Sequence, residues 1–160
     1  WMDKKDRAVE FANKGGKMIV SEFYYYYCDY PFGMTSLKKT YSLDPYIKGL
    51  TETGRKNVFG VECPIWTEYV RDFDRLSYMC FPRFWAVAEA GWTKRANMDY
   101  NSFEERFEAL RPMLEELGIK PAPRSDWNPN PLHCLSELRK FFKGTASASD
   151  IKNMIHNNHA

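Results

Sequence analysis

This chain lacks the marks of several large classes of protein. Its 23 lysines and arginines almost balance its 21 aspartates and glutamates, and no basic run exceeds a few residues. The resulting net charge of +2 is too small to indicate electrostatic binding to nucleic acid or to an anionic membrane. No signal peptide or transmembrane span is visible in the sequence. We therefore predict that neither nucleic acid nor a membrane is a partner.

Signatures of a metal site or a cofactor are also missing. The 4 cysteines form no C-x-x-C pair and have no histidine at ligand spacing, so the sequence predicts no zinc site and no cofactor. Cys28 and Cys63 lie in or beside apolar, strand-like stretches and are predicted to be buried thiols, which favours a reducing, cytoplasmic compartment. The chain opens on Trp1 without an initiator methionine, and we expect it to begin inside a longer protein.

Hydrophobic and aromatic side chains are abundant. They make up 44% and 16% of the 160 residues, which indicates a globular chain with one substantial core. The aromatic share fits either a large aromatic core or a surface on which a flat ligand stacks.

Apolar patterns typical of strands and helices alternate along the chain. Residues 17–21 are predicted to form a buried parallel strand, and a long loop at 29–44 follows. A second strand is predicted at 58–66 and should end or bulge near Pro64, because proline cannot donate to the ladder. This order is typical of βαβ units and predicts an α/β fold. Helices are predicted at 6–13, 82–92, 102–116, 132–142 and 146–160, with a proline-rich surface linker at 121–131.

Two of these helices carry specific predictions. Pro82 suits the first position of the helix that runs to Trp92, and helical spacing places both Trp85 and Trp92 in the core. Ser102, with Glu105 three residues further on, forms a capping box that is predicted to begin the next helix.

Two short clusters place aromatic rings beside carboxylates. The first is YYYYCDY at residues 24–30, and the second is WTEY at residues 66–69; each follows a predicted strand. Aromatic rings cover the apolar faces of a sugar, and carboxylates accept hydrogen bonds from its hydroxyls. In a (β/α)8 barrel, the loops after the strands carry the chemistry. The clusters therefore favour a sugar-binding site.

Together with FPRFWAVAEAGW at residues 81–92, the two clusters resemble the C-terminal part of the catalytic barrel of family 20 glycoside hydrolases, the β-N-acetylhexosaminidases. The resemblance covers roughly residues 1–123 and implies a partial (β/α)8 TIM barrel: the end of strand 6, then strands 7 and 8 with their helices. Residues 124–160 are then predicted to be a linker and a C-terminal helical extension.

The resemblance also implies roles for individual residues. Tyr27 matches the catalytic tyrosine that hydrogen-bonds the substrate's acetamido oxygen, and Asp29 matches a position that contacts sugar hydroxyls. Trp66 matches the tryptophan that stacks on the sugar, and Glu68 matches the glutamate that holds its outer hydroxyls. Trp1 falls where the preceding strand ends and is assigned to substrate binding.

In this family the nucleophile is the substrate's own acetamido oxygen, and an adjacent Asp-Glu pair supplies the general acid and orients the acetamide. No Asp-Glu pair occurs in this chain. The pair lies on an earlier strand of the family's barrel, so the chain is expected to be inactive in isolation. Arg83 and Glu89 match family positions that we interpret as structural.

Each site residue also has an ordinary structural explanation. Tyr27 suits a strand by β propensity alone, and Trp66 suits a core. Asp29 would cap the following turn, and Glu68 would form a surface ion pair.

Three hypotheses follow. The first is a part of a family 20 glycosidase that acts on N-acetylhexosamine-containing glycans, with the missing part of the barrel or a second copy as a protein partner. The second is a non-catalytic carbohydrate-binding or interaction module derived from such a barrel. The third is a different (β/α)8 glycosidase whose motifs coincide.

Overall fold

A computed structural model of the protein describes residues 5–145, with the side chains of residues 142–145 excepted. In this range the chain is a helix-rich α/β structure with two strands. No helix of the described part combines the length and the apolar character needed to cross a membrane. The elements are α1 (Lys5–Asn13), β1 (Met18–Val20), α2 (Phe23–Tyr26), α3 (Leu37–Ser42), α4 (Glu52–Lys56), β2 (Val58–Val61), α5 (Phe73–Cys80), α6 (Arg83–Trp92), α7 (Tyr100–Glu116), α8 (Arg124–Trp127) and α9 (Pro131–Thr145).

The two strands pair in parallel, with Met18 opposite Val58 and Val20 opposite Val61, and an irregularity after Met18. Both lie where the apolar runs predicted them, but β2 is shorter than expected. It ends three residues before Pro64, whose carbonyl accepts a hydrogen bond from the Cys28 N–H (2.9 Å). The segment after β2 therefore stays beside the segment after β1 although the ladder has ended.

The sheet is covered on one face. Val20 is buried and packs with Val87 and Ala90 of α6. On the two strands, Ile19 is 60% exposed and Phe59 is 62% exposed. Parallel sheets normally bury both faces, so this face is one that a larger fold would cover.

Most of the core lies among helices α3, α6, α7 and α8 and the loops beside them. Trp85 is partly buried against it, with its ring 5.0 Å from that of Phe107 in an edge-on arrangement. The buried members of this core are Phe32, Leu37, Tyr41, Ala86, Phe103, Phe107, Leu114, Ala122 and Trp127.

The prediction that Trp92 is a core residue is wrong, because its side chain is 91% exposed. Trp92 is the last residue of α6 and borders a groove of about 310 Å³ between α6 and α7. Helical spacing correctly places Trp92 on the same face of α6 as Trp85, and both residues line this groove. Leu110 of α7 also lines the groove, but it is itself 43% exposed and does not cover the Trp92 indole.

Two further predictions about the C-terminal half need correction. Asp99, not Ser102, caps α7, since its carboxylate accepts the Ser102 N–H at 2.9 Å. Residues 121–131 are not a surface linker throughout: Trp127 is fully buried, and its indole donates to the Ala122 carbonyl at 2.9 Å. The predicted helix at 132–142 is confirmed as α9, while the one at 146–160 lies outside the described residues.

Candidate active site

The tyrosine run after β1 begins as a helical turn. The Glu22 carboxylate accepts the Tyr24 N–H at 2.8 Å and caps α2, so residues 23–26 are helical. The alternative that explains Tyr27 as a strand residue is wrong, because Tyr27 lies outside both strands of the described chain. Tyr27 ends this turn with an extended backbone. It is 6% exposed, and its ring centroid lies 5.1 Å from that of Phe23.

Asp29 follows in a turn and is 5% exposed. Its Oδ1 atom is buried and has no hydrogen-bond partner within residues 5–145. Burial raises the pKa of the Asp29 carboxyl to about 6; its own backbone N–H opposes the shift, the Glu68 charge adds to it, and Arg83 opposes it. Asp29 is thus a buried carboxyl with unused hydrogen-bonding capacity.

The second cluster forms a short 3₁₀ turn, Thr67–Tyr69, beyond the end of β2. Trp66 precedes this turn and is 57% exposed, so it is not a core residue. Glu68 is exposed, and it lies close enough to Asp29 for its charge to affect that carboxyl's pKa. Asp29 and Glu68 therefore lie within electrostatic reach of each other, and the exposed indole of Trp66 precedes Glu68 by two residues. Trp1 lies outside the described residues.

Two tyrosines that sequence reasoning did not select also belong to this region. Burial, followed by the charges of Asp29, Tyr69 and Glu68, raises the pKa of Tyr30. The rings of Tyr30 and Tyr69 both contact Phe141 of α9, at centroid distances of 5.5 and 4.8 Å. In the sequence, Tyr30 directly follows Asp29 and Tyr69 directly follows Glu68, and this position could have identified both tyrosines as site residues.

Arg83 anchors the turn that carries Asp29. Its guanidinium is fully buried and has no ion-pair partner in the described part of the chain. It donates to the carbonyls of Cys28 (2.6 Å) and Tyr30 (2.8 Å), which flank Asp29. It also donates to the carbonyls of Met79 (2.7 and 3.0 Å) and Thr35 (3.3 Å).

Helix α9, near the C-terminal end of the described residues, contacts the loop that carries Asp29 and Gly33. The Gly33 N–H donates to the Glu137 carboxylate at 2.7 Å. A Cβ atom at Gly33 would lie 2.8 Å from that carboxylate and 3.0 Å from the Cys134 Cα atom. A Cβ atom at this position would therefore force the Glu137 carboxylate or α9 to shift by a few tenths of an ångström.

Glu89 lies apart from the two clusters. Its carboxylate accepts the Tyr41 hydroxyl at 2.7 Å and pairs with Arg106 of α7. It therefore joins α3, α6 and α7. Among residues 5–145, no group of three or more His, Cys, Asp or Glu side chains is placed to hold a metal ion.

Two parallel strands, each followed by aromatic rings and a carboxylate, define the candidate site of this α/β protein. The chain matches the model of glycosyl hydrolase family 20, catalytic domain, over residues 1–95. The chain belongs to this family.

Known relatives agree with the match. The chain is similar to a β-hexosaminidase of Akkermansia muciniphila, at 31% identity over 62% of this chain and 22% of that protein. Among solved structures it is similar to the family 20 β-N-acetylhexosaminidase of Streptomyces coelicolor, with a TM-score of 0.69 and 30% identity over 79% of this chain and 27% of that one. It is also similar to a mutant β-hexosaminidase of Streptomyces plicatus in complex with its product, GlcNAc, with a TM-score of 0.68 and 32% identity over 79% and 27%.

The chain spans about a fifth of the length of the Akkermansia relative.

Proposed function

We propose that this chain is the C-terminal part of a family 20 catalytic barrel, with β1 and β2 as its last two strands. The uncovered face of the sheet, with Ile19 and Phe59 exposed, supports this proposal, because the interior of a closed barrel would bury that face. In this arrangement residues 1–123 belong to the barrel and residues 124–160 extend it. The remaining strands, or a second copy of the chain, are the protein partner.

The whole protein removes terminal β-linked N-acetylhexosamine, GlcNAc or GalNAc, from glycans. The observation that carries this proposal is the proximity of Asp29 and Glu68 beyond the ends of two parallel strands. The sugar hydroxyls donate to these carboxylates, and the exposed Trp66 ring stacks on the sugar. The Streptomyces plicatus relative, solved with GlcNAc, supports this choice of sugar.

Catalysis is substrate-assisted and retains the anomeric configuration. The acetamido oxygen attacks the anomeric carbon, and the Tyr27 hydroxyl donates a hydrogen bond that aims this oxygen. The glycosidic oxygen leaves with a proton from a general acid outside this chain, and water then opens the cyclic oxazolinium ion. Asp29 and Glu68 hold the sugar while these bonds change.

The isolated chain is inactive, because it has no Asp-Glu pair to protonate the leaving group. General acid catalysis alone contributes about 10²–10⁴-fold in rate. The test is nitrophenol release from an aryl N-acetylglucosaminide by the 160-residue chain. We expect a rate at the buffer background, and turnover like that of an intact family enzyme would contradict the proposal.

The Tyr27 role is tested in the full-length parent protein. Tyr27→Phe should lower kcat by roughly 10²–10³ with a smaller change in KM, because the hydrogen bond strengthens as the acetamido oxygen attacks. Tyr24→Phe is the matched control and should leave kcat unchanged. An unchanged kcat for Tyr27→Phe would remove this residue from the mechanism.

A second candidate function is a non-catalytic carbohydrate-binding module, which the missing acid favours. The coding sequence upstream of Trp1 separates the two candidates. An Asp-Glu pair after an apolar strand supports the enzyme, and its absence supports the binding module.

A further inference from the structure

Two cysteines meet between the segments that follow the strands. Cys28 lies between Tyr27 and Asp29, and Cys63 lies two residues beyond the end of β2. Their sulfur atoms are 3.1 Å apart. Cys28 is fully buried, as predicted, whereas Cys63 is only half-buried and is the more accessible sulfur.

We propose that Cys28 and Cys63 form a modification site: an oxidation-sensitive dithiol that closes into a disulfide between these two segments. The backbone already holds the two residues side by side. The Cys28 N–H donates to the Pro64 carbonyl at 2.9 Å, and the Glu62 N–H donates to the Val20 carbonyl at 2.9 Å. The sulfurs need to approach by only about 1 Å to reach bonding distance.

The oxidant is a small hydroperoxide, such as hydrogen peroxide. It converts the Cys63 thiol into a sulfenic acid and releases one water; Cys63 is the more accessible of the two sulfurs, although the hydrogen bond with Cys28 and burial raise the pKa of its thiol. The Cys28 sulfur then attacks the Cys63 sulfur; the S–S bond forms, the S–O bond breaks, and the leaving hydroxide takes the Cys28 proton as a second water. The two thiols lose two electrons in total, and the peroxide gains them.

Cys28 is suited to the attacking role. Burial alone would raise the pKa of its thiol, but the hydrogen bond between the Cys28 and Cys63 sulfurs and the charge of Arg83 outweigh burial and lower it. The other two cysteines have different surroundings. Cys80 is buried, and the Cys134 thiol donates to the Pro129 carbonyl at 3.3 Å.

The pairing is specific to the folded chain. Cys63 and Cys80 are closer in sequence than Cys28 and Cys63, at 17 rather than 35 residues. In an unfolded chain the shorter loop closes more readily, by about threefold from loop entropy. A predominant Cys28–Cys63 bond is therefore a signature of the fold and not of chance encounter.

The test treats the full 160-residue chain with sub-millimolar hydrogen peroxide in native buffer and, in parallel, in concentrated urea. After alkylation and digestion, mass spectrometry identifies the cross-linked peptides. We expect the loss of two hydrogen atoms and a predominant Cys28–Cys63 peptide in native buffer. In urea, the Cys63–Cys80 peptide should exceed it.

Two variants serve as controls. Cys80→Ser should retain the Cys28–Cys63 cross-link in native buffer, and Cys63→Ser should abolish it. A predominant Cys63–Cys80 peptide in native buffer would overturn the proposal, and so would Cys63 that is unreacted or oxidised to sulfinic acid without a cross-link. The wild-type comparison between native buffer and urea requires no variant to fold. It is also independent of glycosidase activity, so it tests the cysteine pair separately from the proposed function.

Discussion

Replacing Arg83 with methionine should strongly destabilise the chain. The buried guanidinium supplies hydrogen bonds to the carbonyls of Cys28, Tyr30, Thr35 and Met79. Methionine fills a similar volume and leaves four buried acceptors without this donor. Each unsatisfied acceptor costs about 1–3 kcal/mol, while removal of the buried charge returns several kcal/mol. We expect Arg83→Met to lower the free energy of unfolding by about 3 kcal/mol.

The assay is urea unfolding of the 160-residue chain, followed by far-UV circular dichroism. With a slope of about 2 kcal/mol per molar urea, the midpoint should fall by about 1.5 M. Arg83→Lys should cost at least as much, because a single ammonium group keeps the buried charge but cannot span the same carbonyls. Arg71→Met is the matched control at a side chain that is 85% exposed and should change stability by less than about 0.5 kcal/mol.

Two results would refute this reasoning. One is a midpoint for Arg83→Met that lies within error of the wild type. The other is a neutral Arg83→Lys variant, which would show that the guanidinium's several donors are not what stabilises the turn.

Two further predictions concern the site loop. Because the pKa of Asp29 is raised to about 6 in the folded chain, the folded state binds more protons than the unfolded state between about pH 4 and 6. Stability should fall across this interval as pH rises, by about 3 kcal/mol at about 1.4 kcal/mol per pKa unit, and level off above it. Urea midpoints at several pH values measure this slope, and an Asp29→Asn variant that keeps the full slope would exclude Asp29 as its source. Gly33→Ala should weaken the packing of α9, because the new Cβ would lie 2.8 Å from the Glu137 carboxylate and 3.0 Å from the Cys134 Cα atom, and limited proteolysis should then cleave near residue 130 faster than in the wild type. Gly118→Ala is a control: the new Cβ meets no atom within 4 Å, although the φ of +76° adds backbone strain. This variant should leave α9 protected from cleavage. Equal cleavage rates for the wild type and Gly33→Ala would contradict the close packing of α9 on Gly33.

The sequence patterns predicted the elements whose signals are local. The apolar run at 17–21 became β1, and the helix after Pro82 became α6, because strand burial and proline at a helix start leave clear patterns. The length of β2 was overestimated, since the chain leaves the ladder after Val61, before Pro64, although Cys63, Ile65 and Trp66 continue the hydrophobic pattern. The helical turn at 23–26 was missed because it depends on a cap from Glu22, while tyrosines favour strands by propensity.

Tertiary contacts decided the remaining differences. Neither the exposure of Trp92 nor the burial of Trp127 is readable from its neighbours in sequence, because each depends on where α7 lies. The same limit applies to the candidate site. Asp29 and Glu68 were identifiable from their aromatic neighbours, but the anchoring of the turn by Arg83 comes from a residue more than fifty positions away.

The hydrogen bond between Gly33 and Glu137 has a consequence for the order of synthesis. Its two partners are separated by 104 positions. During translation, the loop that carries Asp29 leaves the ribosome long before its partner helix exists. Ribosomes add about 5–20 residues per second, so the loop waits several seconds for α9. The candidate site is therefore completed only after α9 has emerged and docked on this loop.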